Sequence, residues 1–132
     1  MTPIPDDLKY TRDHEWVRSV EKGRVRVGIT AHAQHQLGDI VFVELPKVGE
    51  RLEAGDPFGT VESVKAVTEV YAPLAGVIAS VNGDLSDDPE LLNEDAYSDG
   101  WMIEITPAKD SRTDGLLTAA QYQAYISDTE TD

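Results

Sequence analysis

Apolar residues in this chain fall into short β-branched runs or alternate with polar ones, and few stretches carry a helical period. Arg24-Val25-Arg26-Val27-Gly28-Ile29-Thr30 alternates strictly and reads as a half-buried strand. Asp39-Ile40-Val41-Phe42-Val43-Glu44-Leu45 is the most strand-like segment, and Pro46 ends it. The stretch from Tyr10 to Val17 enters a strand, and the Glu21-Lys22-Gly23 run suits a turn. Val48 to Leu52 and Pro57 to Val61 lead into two β-rich runs, Thr60-Val61 and Val67 to Tyr71, separated by Glu62-Ser63-Val64-Lys65-Ala66. That spacing predicts a hairpin with Lys65 at or beside its tip. Val77 to Val81 then runs to an Asn82-Gly83 turn, and Trp101 to Thr106 forms a last strand stopped by Pro107.

Three segments read as helical. Ala31 to Leu37 is short, lacks β-branched residues and stops at Gly38. Asp87 to Leu92 suits a brief helix with acidic residues at its positive end. Thr118-Ala119-Ala120-Gln121 fits a capping box, with Leu117 before it and Tyr122, Tyr125 and Ile126 sharing one face. This predicts a docked helix over about 118–128, frayed at 129–132, while residues 1–7 read as a loose arm. Seven or so short strands against one substantial helix give a mostly β fold. With no Gly-, Pro- or Ser-rich linker, residues 1–132 read as a single domain with its core at about 8–107. An internal echo accompanies this: Gly38-Asp39-Ile40-Val41-Phe42-Val43 and Gly76-Val77-Ile78-Ala79-Ser80-Val81 flank Lys65, and each is followed by a Gly and then a Leu. Two interleaved, pseudo-symmetric halves would look like this.

Charge narrows the function. The 132 residues carry a formal net charge of −14, which repels phosphate backbones and anionic lipid, so neither nucleic acid nor a membrane is an expected partner. The same charge favours a soluble monomer and speeds encounter with basic surfaces. No apolar run approaches the roughly 20 residues that span a bilayer. The start of the chain has neither a basic n-region nor an apolar h-region, which points to a bacterial cytoplasm. There is no cysteine, so any sulfur chemistry would have to come from an attached group.

A lysine on a stiff ribbon is a handle for another protein, although lysine at a solvated turn also serves solubility alone. His32 and His35 stand three apart and could share a helix side, but no Cys, Asp or Glu stands at a convincing third position, and no metal site is expected. Trp16 and Trp101 read as packing residues. No nucleophile with a base partner is visible, so the chain is not expected to be an enzyme.

Whole runs of the sequence resemble the H protein of the glycine cleavage system, a lipoyl carrier family. They include His14-Glu15-Trp16, Val27-Gly28-Ile29-Thr30, His32-Ala33-Gln34, Leu37 through Pro46, Glu62-Ser63-Val64-Lys65-Ala66, Tyr71-Ala72-Pro73, Val81-Asn82 and Gly100-Trp101-Met102, within a match from about residue 8 to 126. The resemblance implies a lipoyl/biotinyl-type barrel-sandwich hybrid (a flattened β barrel) with a C-terminal helix. It further implies lipoic acid in amide linkage on Lys65. The arm would take an aminomethyl group from glycine decarboxylase (P protein) to aminomethyltransferase (T protein), and electrons to dihydrolipoyl dehydrogenase (L protein).

Other residues are assigned by the same resemblance. Glu15 and Glu69 become candidates for cleft carboxylates that hold the cationic amine. Glu62 and Gly76 occupy positions that help lipoate-attaching enzymes find the lysine, although a backbone need is the preferred reading for Gly76. Some relatives carry a histidine near the cleft where this chain has Gln36, so that residue's role does not transfer. Two rivals stand beside this carrier reading: a relative that relays lipoate to other complexes and would share the hairpin, and an unmodified adaptor that binds partners through its acidic face. A biotin carrier would flank its lysine with methionines, and here the neighbours are Val64 and Ala66.

Overall fold

The computed structural model describes residues 4–109 and 116–130. β1 (Lys9–Tyr10), β2 (Glu15–Ser19) and β3 (Val25–Ile29) form an antiparallel meander, with a 3₁₀ turn at Glu21–Gly23 between the last two. The short helix α1 (Ala31–Leu37) follows, capped by Thr30, whose hydroxyl accepts from the Ala33 N–H at 3.2 Å. Next come β4 (Ile40–Glu44), β5 (Arg51–Leu52), β6 (Pro57–Ser63), β7 (Val67–Tyr71) and β8 (Gly76–Val81). Two single-turn helices, α2 (Asp84–Asp87) and α3 (Leu91–Glu94), lead to β9 (Ile103–Pro107), and α4 (Ala119–Glu130) ends the described chain.

The strands make a six-stranded sheet, β1-β2-β3-β9-β8-β5, and a three-stranded sheet, β4-β6-β7, with every pair antiparallel. The two extra strands beyond the expected seven are the two-residue β1 and β5, too short to leave a periodic trace. One core cluster joins both sheets through Val27, Ile40, Val43, Val61, Val70, Ile78 and Ile105, each 3% exposed or less. Burying each such side chain is worth about 1.5–3 kcal/mol.

The internal echo has a structural counterpart. β4 pairs with β6 and β8 with β9, and the register slips between Ile40 and Phe42 in one and between Ile78 and Ser80 in the other. These are matching places in the two repeats, so both strands bend at the same step.

Several expectations are corrected. The helix expected over Asp87 to Leu92 is instead two single turns that overlap its two ends, α2 and α3, with Pro89 in the gap between them. The turn expected at Asn82-Gly83 is present, and it opens α2. The Asn82 amide donates to the Asp99 and Trp101 carbonyls at 2.9 and 2.8 Å, and its oxygen accepts from Asp84 N at 3.3 Å. The last strand begins at Ile103 and includes Pro107, which sits opposite Gly76. α4 continues to Glu130, so the expected fraying does not begin at 129; residues 131–132 lie outside the described residues.

The arm is partly tied down as well. Residues 1–3 lie outside the described residues, but Pro5 O accepts from the Tyr10 hydroxyl at 2.6 Å. Ile4 packs against a second cluster of Leu8, Tyr10, Trp16, Leu117, Tyr122 and Ile126, which seats α4 on β1 and β2. The capping box holds as expected: Thr118 N donates to Gln121 Oε1 at 2.9 Å, and Gln121 N donates to Thr118 Oγ1 at 3.2 Å.

Candidate functional site

β6 and β7 pair down to Glu62 opposite Val67, so Ser63 to Ala66 make the turn and Lys65 stands at its exposed tip. Ser63 pins that turn. Its N–H donates to Ala66 O at 2.8 Å, and its hydroxyl oxygen accepts from Lys65 N and Ala66 N at 3.3 and 3.1 Å. Val64 N donates to Asp39 O at 3.1 Å, tying the turn to the start of β4. The lysine stem runs past Gly38, the residue that ends α1. Gly38 holds φ +82°, which only glycine adopts without strain. Phe42, Glu62 and Val67 form an exposed row across the three strands.

A cleft of about 150 Å³ opens beside this turn. One wall is α1, through Ala33, Gln36 and Leu37; another is Asp13, His14 and Glu15, with Ile29 between; the third is the sheet edge at Thr68, Glu69 and Val70. Glu15 and Glu69, far apart in sequence, therefore face one space. They differ in kind, for Glu69 is exposed whereas Glu15 is only 2% exposed. The Thr11 hydroxyl donates to Glu15 Oε1 at 2.7 Å and the Tyr71 N–H to Oε2 at 3.1 Å. Burial pushes the Glu15 carboxyl up to about 7, against the pull of these two donors. A cation entering the cleft would favour the carboxylate form and lower this pKa again, with the proton passing to solvent.

The remaining assignments separate. Glu62 is exposed beside the turn, on the outer face of the three-stranded sheet. Gly76 is buried in β8, where a Cβ would meet the Thr106 carbonyl oxygen and come within 2.5 Å of Ile105 Cγ2. That close approach accounts for glycine there. His32 and His35 do not share a side, since His32 is buried and His35 exposed. His32 instead lies with its ring 4.8 Å from that of His14. No group of three or more His, Cys, Asp or Glu is placed to hold a metal among the described residues. Trp16 is fully buried and donates from Nε1 to Ala96 O at 2.8 Å. Trp101 packs half-buried under the Arg26 guanidinium, 4.7 Å from the ring centre.

Sequence reasoning misses Tyr122 as a site residue. Its hydroxyl lies 2.8 Å from Thr30 Oγ1 and 2.8 Å from His14 Nδ1. The capping box places Tyr122 on the buried face of α4, but nothing local names its partners.

A family model described as Glycine cleavage H-protein matches residues 8–129. The glycine cleavage system H protein of Herpetosiphon aurantiacus is 53% identical over 128 residues, covering 97% of each chain. That of Anoxybacillus flavithermus is 56% identical over 124 residues, 94% of this chain and 97% of the relative. The crystal structure of a glycine cleavage system H protein from Mycobacterium marinum matches with a TM-score of 0.85 at 43% identity, over 94% of this chain and 99% of that one. The two sheets with their C-terminal helix are thus the expected barrel-sandwich architecture.

Proposed function

The chain belongs to the glycine cleavage H-protein family, and from that premise we propose that it is the system's lipoyl carrier, with lipoic acid in amide linkage on Lys65. The observation that carries this reading is an exposed lysine on a pinned turn, beside a cleft that offers apolar walls and two carboxylates. Amide formation removes the ammonium charge, so a carbon-and-sulfur arm rooted there can lie against Ile29, Ala33, Leu37 and Val70 without the cost of burying a cation. When bound, the dithiolane supplies the redox and group-carrying chemistry that a cysteine-free chain lacks.

The chain's own residues have distinct tasks. Ser63 fixes the backbone from which the arm springs, and Gly38 leaves its path open. Glu15 and Glu69 hold a cationic cargo amine: a neutral amine takes the Glu15 proton as it enters, or, if it enters already protonated, Glu15 loses its proton to solvent. The carrier takes the aminomethyl group from the decarboxylase to the aminomethyltransferase and electrons to dihydrolipoyl dehydrogenase, and it catalyses none of these reactions. Glu62, exposed next to the turn, is a recognition contact for the lipoate-attaching enzymes. Gly76 serves packing. A bacterial cytoplasm suits this role, and among the described residues no helix is long and apolar enough to cross a membrane.

Lys65→Arg tests the reading. Incubated with lipoate, ATP and a lipoate ligase, the wild-type chain gains one lipoyl increment by intact mass and the variant gains none. In a reconstituted glycine cleavage assay the variant is inactive, while its thermal midpoint stays within a degree or two because position 65 is exposed. Retained activity, or a lipoyl group mapped to another lysine, would refute the assignment.

A further inference from the structure

Tyr122 is fully buried on α4, far from Lys65 in sequence, yet it touches two elements that line the cleft. One is Thr30, the N-cap of α1; the other is His14, next to Glu15. Thr30 and His14 are already joined by Thr30 N donating to His14 O at 2.9 Å. The Tyr122 hydroxyl adds a side-chain tie across the same step. Tyr122 in turn is held from two directions. Its ring stacks on Tyr10 at 4.7 Å and 8°. Leu117 exchanges backbone bonds with Tyr10 at 2.7 and 2.8 Å, which fixes where α4 begins.

His14 carries a second, independent sign. It is the only non-glycine residue with positive φ among those described, at +70°. A side chain there costs about 1 kcal/mol or more relative to glycine, and the ring's contacts offset that cost. The ring reaches Tyr122.

Proton counting gives the chain a direction. Thr30 Oγ1 already accepts from Ala33 N. Each hydroxyl proton is used when Thr30 donates to Tyr122 and Tyr122 donates to His14 Nδ1, which leaves His14 neutral with its proton on Nε2. Burial, then the neighbouring His32, lowers the His14 pKa and so supports this neutral form.

We propose that Tyr122 is a positioning residue for the arm's cleft: its hydroxyl clamps the α1 wall to the His14–Glu15 wall, so the docking of the C-terminal helix sets the shape of the space beside Lys65. The clamp stands on geometry alone, and its consequence for the cargo rests on the carrier reading above.

Two variants test it. Tyr122→Phe keeps the ring stack and removes one hydroxyl; His14→Gly relieves the positive φ and removes the ring. On unlipoylated protein at pH 8, long-range ¹H–¹⁵N NMR should find His14 protonated at Nε2 in the wild type and a mixture of tautomers in Tyr122→Phe, with faster exchange of the Ala33 amide. On lipoylated, cargo-loaded protein, both variants should release ammonia several-fold faster than wild type, while the thermal midpoint of His14→Gly holds or rises.

An unchanged tautomer and Ala33 exchange in Tyr122→Phe would overturn the clamp whatever the arm does. Wild-type release rates in both variants, with the native protein slower than the same loaded protein unfolded in urea, would overturn the link to the cleft and leave the carrier reading intact. If native and unfolded wild type release ammonia equally fast, the cleft does not shelter the cargo. In that case the failure belongs to the carrier reading's cleft, and this consequence of the clamp falls with it.

Discussion

Two turns are set beside the same cleft, and both are organised by a hydroxyl at their first residue. In the β6–β7 turn, Ser63 Oγ accepts from the N–H groups of Lys65 and Ala66. In the β1–β2 turn, Thr11 Oγ1 accepts from those of Asp13 and Glu15, at 3.2 and 3.1 Å. The functional groups beyond the two hydroxyls point opposite ways. The first turn sends its chemical group outward: Lys65 is exposed, and its neighbours Val64 and Val67 are 69% and 66% exposed. The second sends its group inward: Glu15 is buried, and His14 is held in a left-handed conformation against α4. A carrier needs both environments, an accessible root for attachment and a sheltered place for the cargo. A similar turn device, a hydroxyl accepting from two following N–H groups, supplies both, and the face that its side chains meet sets the difference.

If Glu15 is the inward group, its ionisation should weigh on the fold, and Glu15→Gln gives the largest expected stability effect. The folded-state pKa is raised from 4.5 to about 7. The native state therefore holds this proton more tightly than the unfolded chain. The stability it contributes is fully present below about pH 4.5 and is lost as the pH rises through about 7. A shift of this size corresponds to about 3 kcal/mol. Glutamine stays neutral, so urea unfolding at pH 5 and pH 8 should show the variant gaining on wild type by up to that amount, while constant terms cancel in the comparison. Parallel stability curves would mean that Glu15 is solvated and the inward turn is no different from the outward one.

Thr11→Ala comes next. It removes the 2.7 Å donor to a buried carboxyl together with the acceptor for two N–H groups. Hydrogen bonds to charged groups are worth about 1.5–3 kcal/mol, so a loss of about 2 kcal/mol is expected at pH 8. The Glu15 pKa should also rise further, followed by ¹³C NMR of its carboxyl. A loss well under 1 kcal/mol, with an unmoved Glu15, would erase the distinction between the turns.

The outward turn is the more legible in sequence because its determinants are local. Two β-rich runs, a polar break and a lysine fall within a dozen residues, and β-pairing on both sides fixes the tip. β4 and the α4 capping box are readable for the same reason. The inward turn is a tertiary object. Glu15 and Glu69 meet only because β2, α1 and β7 close on one space, and the resemblance to a known family, not the spacing, brought them forward. The His14 backbone conformation leaves no compositional trace, since histidine is not a turn signal. Tyr122 shows its buried face through the capping register, but its partners Thr30 and His14 lie 92 and 108 residues away. Asn82-Gly83 is legible as a turn, but its long-range partners are not: the Asn82 amide finds the Asp99 and Trp101 carbonyls.

Ser63→Ala should have the smallest effect, and it is the sharpest control on the comparison. The Ser63 hydroxyl serves two N–H groups of a turn whose residues 64 to 66 are exposed. Ser63 itself is buried, but the two N–H groups belong to exposed residues and are neutral, so the expected loss is that of ordinary neutral hydrogen bonds, about 0.5–1 kcal/mol. The backbone bond from Ser63 N to Ala66 O at 2.8 Å and the Val64 N bond to Asp39 O at 3.1 Å remain. The hairpin should persist, with faster amide exchange confined to Lys65 and Ala66. Any ordering that the turn loses must then be supplied when the attaching enzyme binds, so lipoylation should slow by up to about fivefold at low protein concentration and recover at saturation. A stability loss equal to that of Thr11→Ala would show that the exposed turn is as tightly bound into the fold as the buried one, and the division between accessible root and sheltered cup would lose its energetic basis.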